Sequence, residues 1–198
     1  MKRILKALLA VALMVSVVLL SSSFVAAHPL DYNRWTWKSS TTSLRIRVFP
    51  TASLYHQRIS RAAFNWNYIS SEIQILSVTT SSLDLPIEIH GKSFSGTKMG
   101  ECLIYSVDSK GNYKLEISHT YTGQVAKAKI YLDNDDQGLV NCSYAEQEKV
   151  ITHELGHAFA LTHPVCGAYA LMQQGFGPLG ALTIQSHDKS CLKMKWGN

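Results

Sequence analysis

The sequence predicts an α+β fold, a mixed twisted sheet with helices packed on it, and three observations carry that expectation. Residues 43–49 alternate, with Leu44, Ile46 and Val48 on one face and Arg45 and Arg47 on the other, the period of a half-buried strand. Beyond Pro50 the apolar positions Tyr55, Ile59, Ala62, Ala63, Trp66 and Ile69 fall at helical spacing, giving an amphipathic helix over about 52–70. Several short β-type runs then precede a second helix, and the order β, α, several β, α describes a sheet covered by helices.

The β-type runs are 73–78, 85–89 and 103–107. Asp108-Ser109-Lys110-Gly111-Asn112 is turn chemistry, and Tyr113, Leu115 and Ile117 alternate after it, so a hairpin is expected there. Residues 127–133 alternate again, with Ala128, Ile130 and Leu132 facing one way, and the polar, glycine-containing stretch 133–141 reads as a loop. Ser143 with Glu146 three residues on is a capping-box pattern, starting a helix that runs to about Leu161.

The start of the chain reads differently. Lys2, Arg3 and Lys6 precede an apolar run from Ala7 to Leu20, and small residues lead into Val25-Ala26-Ala27. A basic head, a short apolar core and a small-residue cleavage point are the pattern of a secretory signal peptide over 1–27. The apolar run is shorter than the ~20 residues of a spanning helix, so cleavage before His28 is expected in place of a retained anchor. Residues 28–198 are then one secreted, extracellular, monomeric domain without a membrane partner, since no repeat, low-complexity tract or Pro/Gly linker divides them. The formal charge falls from +5 to +2 once Lys2, Arg3 and Lys6 are removed, too little to argue for nucleic acid.

Cys102, Cys142, Cys166 and Cys191 all lie in the exported part. An even number in an oxidising compartment favours two disulfides, with three connectivities open. Cys102–Cys142 and Cys166–Cys191 are preferred because each closes a moderate loop, and no close C-x-x-C spacing points to a thiolate zinc site.

The chemistry concentrates in His153-Glu154-Leu155-Gly156-His157 and in His163, six residues further on. Residues four apart on a helix are separated by about 40° around its axis, so His153 and His157 project from one face and can reach one cation. A straight helix would carry His163 away from that cation, so the chain must turn sharply near Ala160 to return it. Three imidazoles holding Zn2+ leave a fourth position open for water, which a catalytic site needs and a closed structural site lacks. Zinc lowers the pKa of bound water from ~15.7 towards ~7, and Glu154, beside the first ligand, is placed to accept the water proton as general base.

These residues resemble the metzincin clan of zinc endopeptidases, whose signature H-E-x-x-H-x-x-G-x-x-H is followed by a methionine turn. Tyr169-Ala170-Leu171-Met172 is similar to that turn, its methionine nine residues after His163. Within the clan, this run and a tail ending in Trp196-Gly197 look most like the matrixins, the matrix-metalloproteinase-like branch. The resemblance implies two long helices above a small C-terminal subdomain that holds the methionine turn and a final helix. It also implies that 127–133 is the sheet edge, antiparallel to an extended substrate. Residues 175–180 would form the wall of the main specificity pocket, with a hydrophobic preference. Three features depart from the pattern. Ala160 stands at the family glycine, where the backbone commonly needs φ > 0. Gln174 replaces the tyrosine ligand of astacin- and serralysin-like branches. No segment similar to a cysteine-switch propeptide follows residue 27, so latency by that route is not expected.

The expected function is therefore a secreted zinc metalloendopeptidase acting on protein or peptide substrates. Two alternatives stay open: a narrowly specific processing peptidase, and a catalytically weak zinc-containing module that binds peptides. Glu154 argues against the module, because a binder needs no general base. The segment Asp133-Asn134-Asp135-Asp136-Gln137-Gly138 invites a calcium reading, but an EF-hand register places Tyr144 at the twelfth position, so a solvated acidic turn is preferred and calcium stays unsupported. His28, His56, His90, His119 and His187 lack partners at ligand spacing and read as surface or hydrogen-bonded histidines. Asn141-Cys142-Ser143 matches a glycosylation acceptor formally, at a helix start that disfavours its use.

Overall fold

Alternating burial in Leu44–Val48, with Leu44, Ile46 and Val48 inside, makes this strand (β2) one of the central strands of a six-stranded sheet. The computed structural model describes residues 31–116, 121–178 and 180–197; the expected signal peptide, His28, Ile117, His119 and Leu179 lie outside them. The strand order is β3-β2-β4-β8-β5-β6, with β3 Ile75–Thr79, β4 Ile87–Lys92, β5 Gly100–Val107, β6 Tyr113–Glu116 and β8 Lys127–Asp133. The first four of these neighbours are mutually parallel, whereas β5 runs antiparallel to both β8 and β6. Two short strands outside the main sheet, β1 (Thr36–Trp37) and β7 (Gln124–Val125), pair in parallel. Two-residue strands carry no readable alternation, so the sequence offered no sign of them.

The first helix, α1, is His56–Trp66, entered through a 3-10 turn at Pro50–Tyr55. It stops short of the expected residue 70 because Asn67 turns to extended backbone. The Asn67 amide then donates to the Ile75 carbonyl and accepts from the Ile75 N–H, so it holds the first residue of β3 instead of continuing the helix. Helix α2, Tyr144–Ala158, begins with both halves of the expected capping box: the Ser143 hydroxyl accepts from Glu146 N–H, and the Glu146 carboxylate accepts from Ser143 N–H. A cap of this kind contributes about 1 kcal/mol. Trp66 locks the two helices together, donating its indole N–H to the Thr152 carbonyl at 2.9 Å and packing edge-on to Phe159. Isoleucines 46, 87, 89 and 130, together with Leu132, meet Ile59, Trp66, Ile151 and Leu155 in one buried core. Helix α3, Ser186–Trp196, closes the C-terminal part. No helix among the described residues is long and apolar enough to cross a membrane.

Two expectations are corrected. β8 is not the edge beside the active helix. It pairs with β4 on one side and with β5 on the other, and among the described residues β6 pairs only with Ile104–Val107 of β5. A hairpin folding back outside the strand that precedes it in space is a long-range pairing that local periodicity does not encode. Nor is any of the four cysteines in a disulfide. Cys142 Sγ faces Met99 Sδ at 3.8 Å while Cys102 sits in β5 against the site, so the Cys102–Cys142 pair is not made. Cys166 and Cys191 both approach the His187 Nε2, at 3.9 and 3.5 Å, and no disulfide joins them.

Candidate metal centre

Helix α2 presents His153, Glu154 and His157 from its last turns. The Nδ1 of His153 faces the Leu171 carbonyl at 3.0 Å, and that of His157 faces the Leu161 carbonyl at 2.8 Å. A carbonyl only accepts, so both Nδ1 atoms carry the proton and both Nε2 lone pairs are left to bind a cation. Burial pushes His153 down to about 4, keeping it in the neutral form that coordinates metal.

His163 reaches the same point because the helix ends in a Schellman turn. Leu161 N–H bonds back to the Gly156 carbonyl and Ala160 N–H to that of His157, both at 3.0 Å, around Ala160 at φ +72°. The His153 and His163 Nε2 atoms then lie 3.2 Å apart, and ligand atoms of all three histidines lie within 4.8 Å of one another. Tetrahedral zinc with Zn–N near 2.0–2.1 Å requires N···N edges of about 3.3–3.4 Å. The 3.2 Å separation is close to such an edge, so the donor set fits a zinc ion.

Ala160 therefore adopts the left-handed conformation usually left to glycine. Placing alanine there costs about 1–2 kcal/mol. Glycine would lose about 0.4–1 kcal/mol through its freer unfolded chain and about 0.8 kcal/mol from the missing buried methyl. The terms nearly cancel, so Ala160→Gly is expected to change unfolding free energy by less than about 1 kcal/mol; a denaturant-melt loss above about 2 kcal/mol would contradict the strain assignment.

Met172 is buried against Gly156 of α2. A Cβ added to Gly156 would meet its Sδ at 2.4 Å, which explains the glycine between the two helical histidines. The residue that sequence reasoning missed is Asp188. Its buried carboxylate accepts the N–H groups of Leu171, Met172 and Gln185 at 2.9, 3.1 and 2.7 Å, although burial raises its pKa. Leu171 in turn offers the carbonyl that orients His153, so Asp188 positions a ligand through the turn backbone. Its one sequence signal is its place as third residue of α3, where an acid favours the helix N-terminus.

Glu154 is buried, which pushes its carboxyl up to about 8. A Cβ on Gly100 would come within 2.8 Å of Glu154 Oε1, so the β5 edge lies directly over the carboxylate and only glycine permits that approach. Two clefts of about 720 and 360 Å³ share Cys102, His157 and His163 and so meet at the centre, with the β5 backbone lining both. The larger is walled by Gly175 and Phe176 as the resemblance implies. It also holds the Lys149 ammonium, hydrogen-bonded to the Gly175 carbonyl and 4.4 Å from the Phe176 ring centroid, so its lining is not simply hydrophobic. Elsewhere, Asp133 spends its carboxylate on the N–H groups of Phe94 and Asp135, in keeping with a turn. His187, expected at the surface or in a hydrogen bond, is buried and paired with Asp31 at 3.0 Å.

No protein-family model matches the chain, and no curated protein matches it by sequence. Among solved structures, one described as the structure of myroilysin is similar to it with a TM-score of 0.52 and 11% identity, covering 84% of this chain and 98% of that one. At that identity the likeness speaks for the fold alone, a mixed α+β fold in agreement with the expected fold class.

Proposed function

We propose that this chain is a zinc-dependent endopeptidase of matrixin-like type, exported after loss of residues 1–27 and acting through residues 28–198 as a monomer on protein or peptide substrates. The observation that carries the reading is the convergence of three imidazoles beside one buried carboxylate, at the point where two clefts meet beside β5. A zinc ion held by His153, His157 and His163 supplies Lewis acidity, lowering the pKa of a water towards ~7 and polarising a carbonyl. Glu154 takes the water proton at its carboxylate and returns it to the departing amine. Its burial favours holding that proton between the two transfers. Gly100–Leu103, which no described residue pairs on its outer side, offers backbone N–H and C=O groups to an extended peptide, giving affinity with little sequence selectivity.

The test is a quenched-peptide library incubated with the purified chain. Internal cleavage that a chelator abolishes and zinc restores is the expected result. An uncut library across all enzyme concentrations would overturn the reading and leave the peptide-binding module in its place.

A further inference from the structure

Three residues beyond His163, Cys166 joins a second convergence of ligand-type side chains. Asp31 Oδ2 lies 3.0 Å from His187 Nε2, and Cys166 Sγ lies 3.7 Å from that oxygen and 3.9 Å from that nitrogen. Cys191 Sγ is 3.5 Å from the same nitrogen. The ligand atoms of Asp31, Cys166 and His187 all fall within 4.8 Å of one another. His187 and Cys191 are four apart on α3 and share a face, while Asp31 and Cys166 arrive from the N-terminal segment and the loop after His163. Asp31, His187 and Cys191 are buried and Cys166 is exposed, so the cluster is enclosed with one accessible sulfur.

We propose that Asp31, Cys166 and His187 form a second metal site, holding a structural zinc ion through one carboxylate, one thiolate and one imidazole. Tetrahedral zinc with bonds near 2.3 Å to sulfur, 2.0–2.1 Å to nitrogen and 2.0–2.2 Å to oxygen requires ligand–ligand edges of about 3.3–3.8 Å. The three edges of this triangle, 3.0, 3.7 and 3.9 Å, lie within a few tenths of an ångström of that range. Without an ion, Cys166 S–H donates to Asp31 Oδ2, the oxygen that already takes the His187 Nε2–H, so metal binding replaces both of those bonds. A thiolate and an imidazole favour zinc over calcium or magnesium. On binding, the Cys166 thiol releases its proton and the imidazole coordinates as the neutral base.

Among the described residues no further carboxylate or histidine joins this group, so the ion holds structure and leaves catalysis to the histidine centre. What it holds is the loop carrying His163. The Asp31 carbonyl already accepts from Thr162 N–H and its carboxylate from Val165 N–H, one on each side of the His163–Pro164 step. The spacing rule missed His187 because Asp31 and Cys166 come from two distant stretches of chain, although Cys191 lies four residues on along the same helix.

Cobalt separates this site from the histidine centre, because only a thiolate site gives an intense near-ultraviolet sulfur-to-cobalt charge-transfer band. The full chain, stripped of metal and titrated with Co2+ under reducing conditions, is expected to take up two equivalents and develop that band with one of them. The band should persist in His163→Ala and vanish in Cys166→Ser with the other equivalent retained. Zinc should also slow alkylation of Cys166 in the unmutated chain, a readout independent of any variant's folding. A titration without the band, equal alkylation rates with and without zinc, or a Cys166–Cys191 disulfide mapped in the purified protein would each overturn the proposal. A band from a chain that cuts no peptide would sustain this site and reject the peptidase reading.

Discussion

Replacing Glu154 by glutamine is expected to lower kcat by about 10²- to 10⁴-fold while leaving zinc content and KM near those of the unmutated chain. Glutamine keeps the volume under Gly100, where the β5 backbone packs against this side chain, so the cleft survives. What it removes is the capacity to accept a proton, which matters only as the water attacks and the amine departs. The fall should therefore sit in kcat. Paired measurement of kcat, KM and zinc content checks this. An unchanged kcat would remove Glu154 from the chemistry, and loss of zinc together with activity would make it a structural support of the centre.

Removing the Asp188 carboxylate should be the most damaging single change to stability near the site. Asp188→Ala leaves the buried N–H groups of Leu171 and Met172 and the part-buried one of Gln185 without their acceptor. Each orphaned buried donor costs about 1–3 kcal/mol, and part of that is offset because the carboxylate's own burial was unfavourable. A net loss of about 3–5 kcal/mol follows, which at about 2–4 °C per kcal/mol lowers Tm by roughly 10 °C. Because Leu171 also orients His153, zinc affinity should fall with stability, since disturbing such outer partners typically costs about 10- to 100-fold. Thermal melts read the first effect and competition with a chelator the second. A variant within about 1 kcal/mol of the parent would show that the turn does not depend on this carboxylate.

Much of the site was legible because its signals are local. The i, i+4 spacing put His153 and His157 on one helix face, the capping box started that helix at Ser143, and the six-residue gap to His163 required a turn at Ala160. Each follows from helix geometry alone. The rest depends on pairings between distant segments. Nothing local shows that the β5–β6 hairpin folds outside β8, so 127–133 is expected at the sheet edge although β5 pairs along it. Asp188 works through N–H groups 16 and 17 residues earlier in the chain, and Asp31 meets His187 across 156 residues. The disulfides inferred from an even cysteine count illustrate the same gap: loop length says which pairs can close, not which atoms the fold brings between them.

The central claim is that His153, His157 and His163 together hold one zinc ion. Native mass spectrometry of the intact chain beside its His163→Ala variant tests it most directly. The account predicts that the variant loses one full equivalent of zinc while its fold, followed by circular dichroism, persists. A variant that keeps every equivalent of the parent would contradict it.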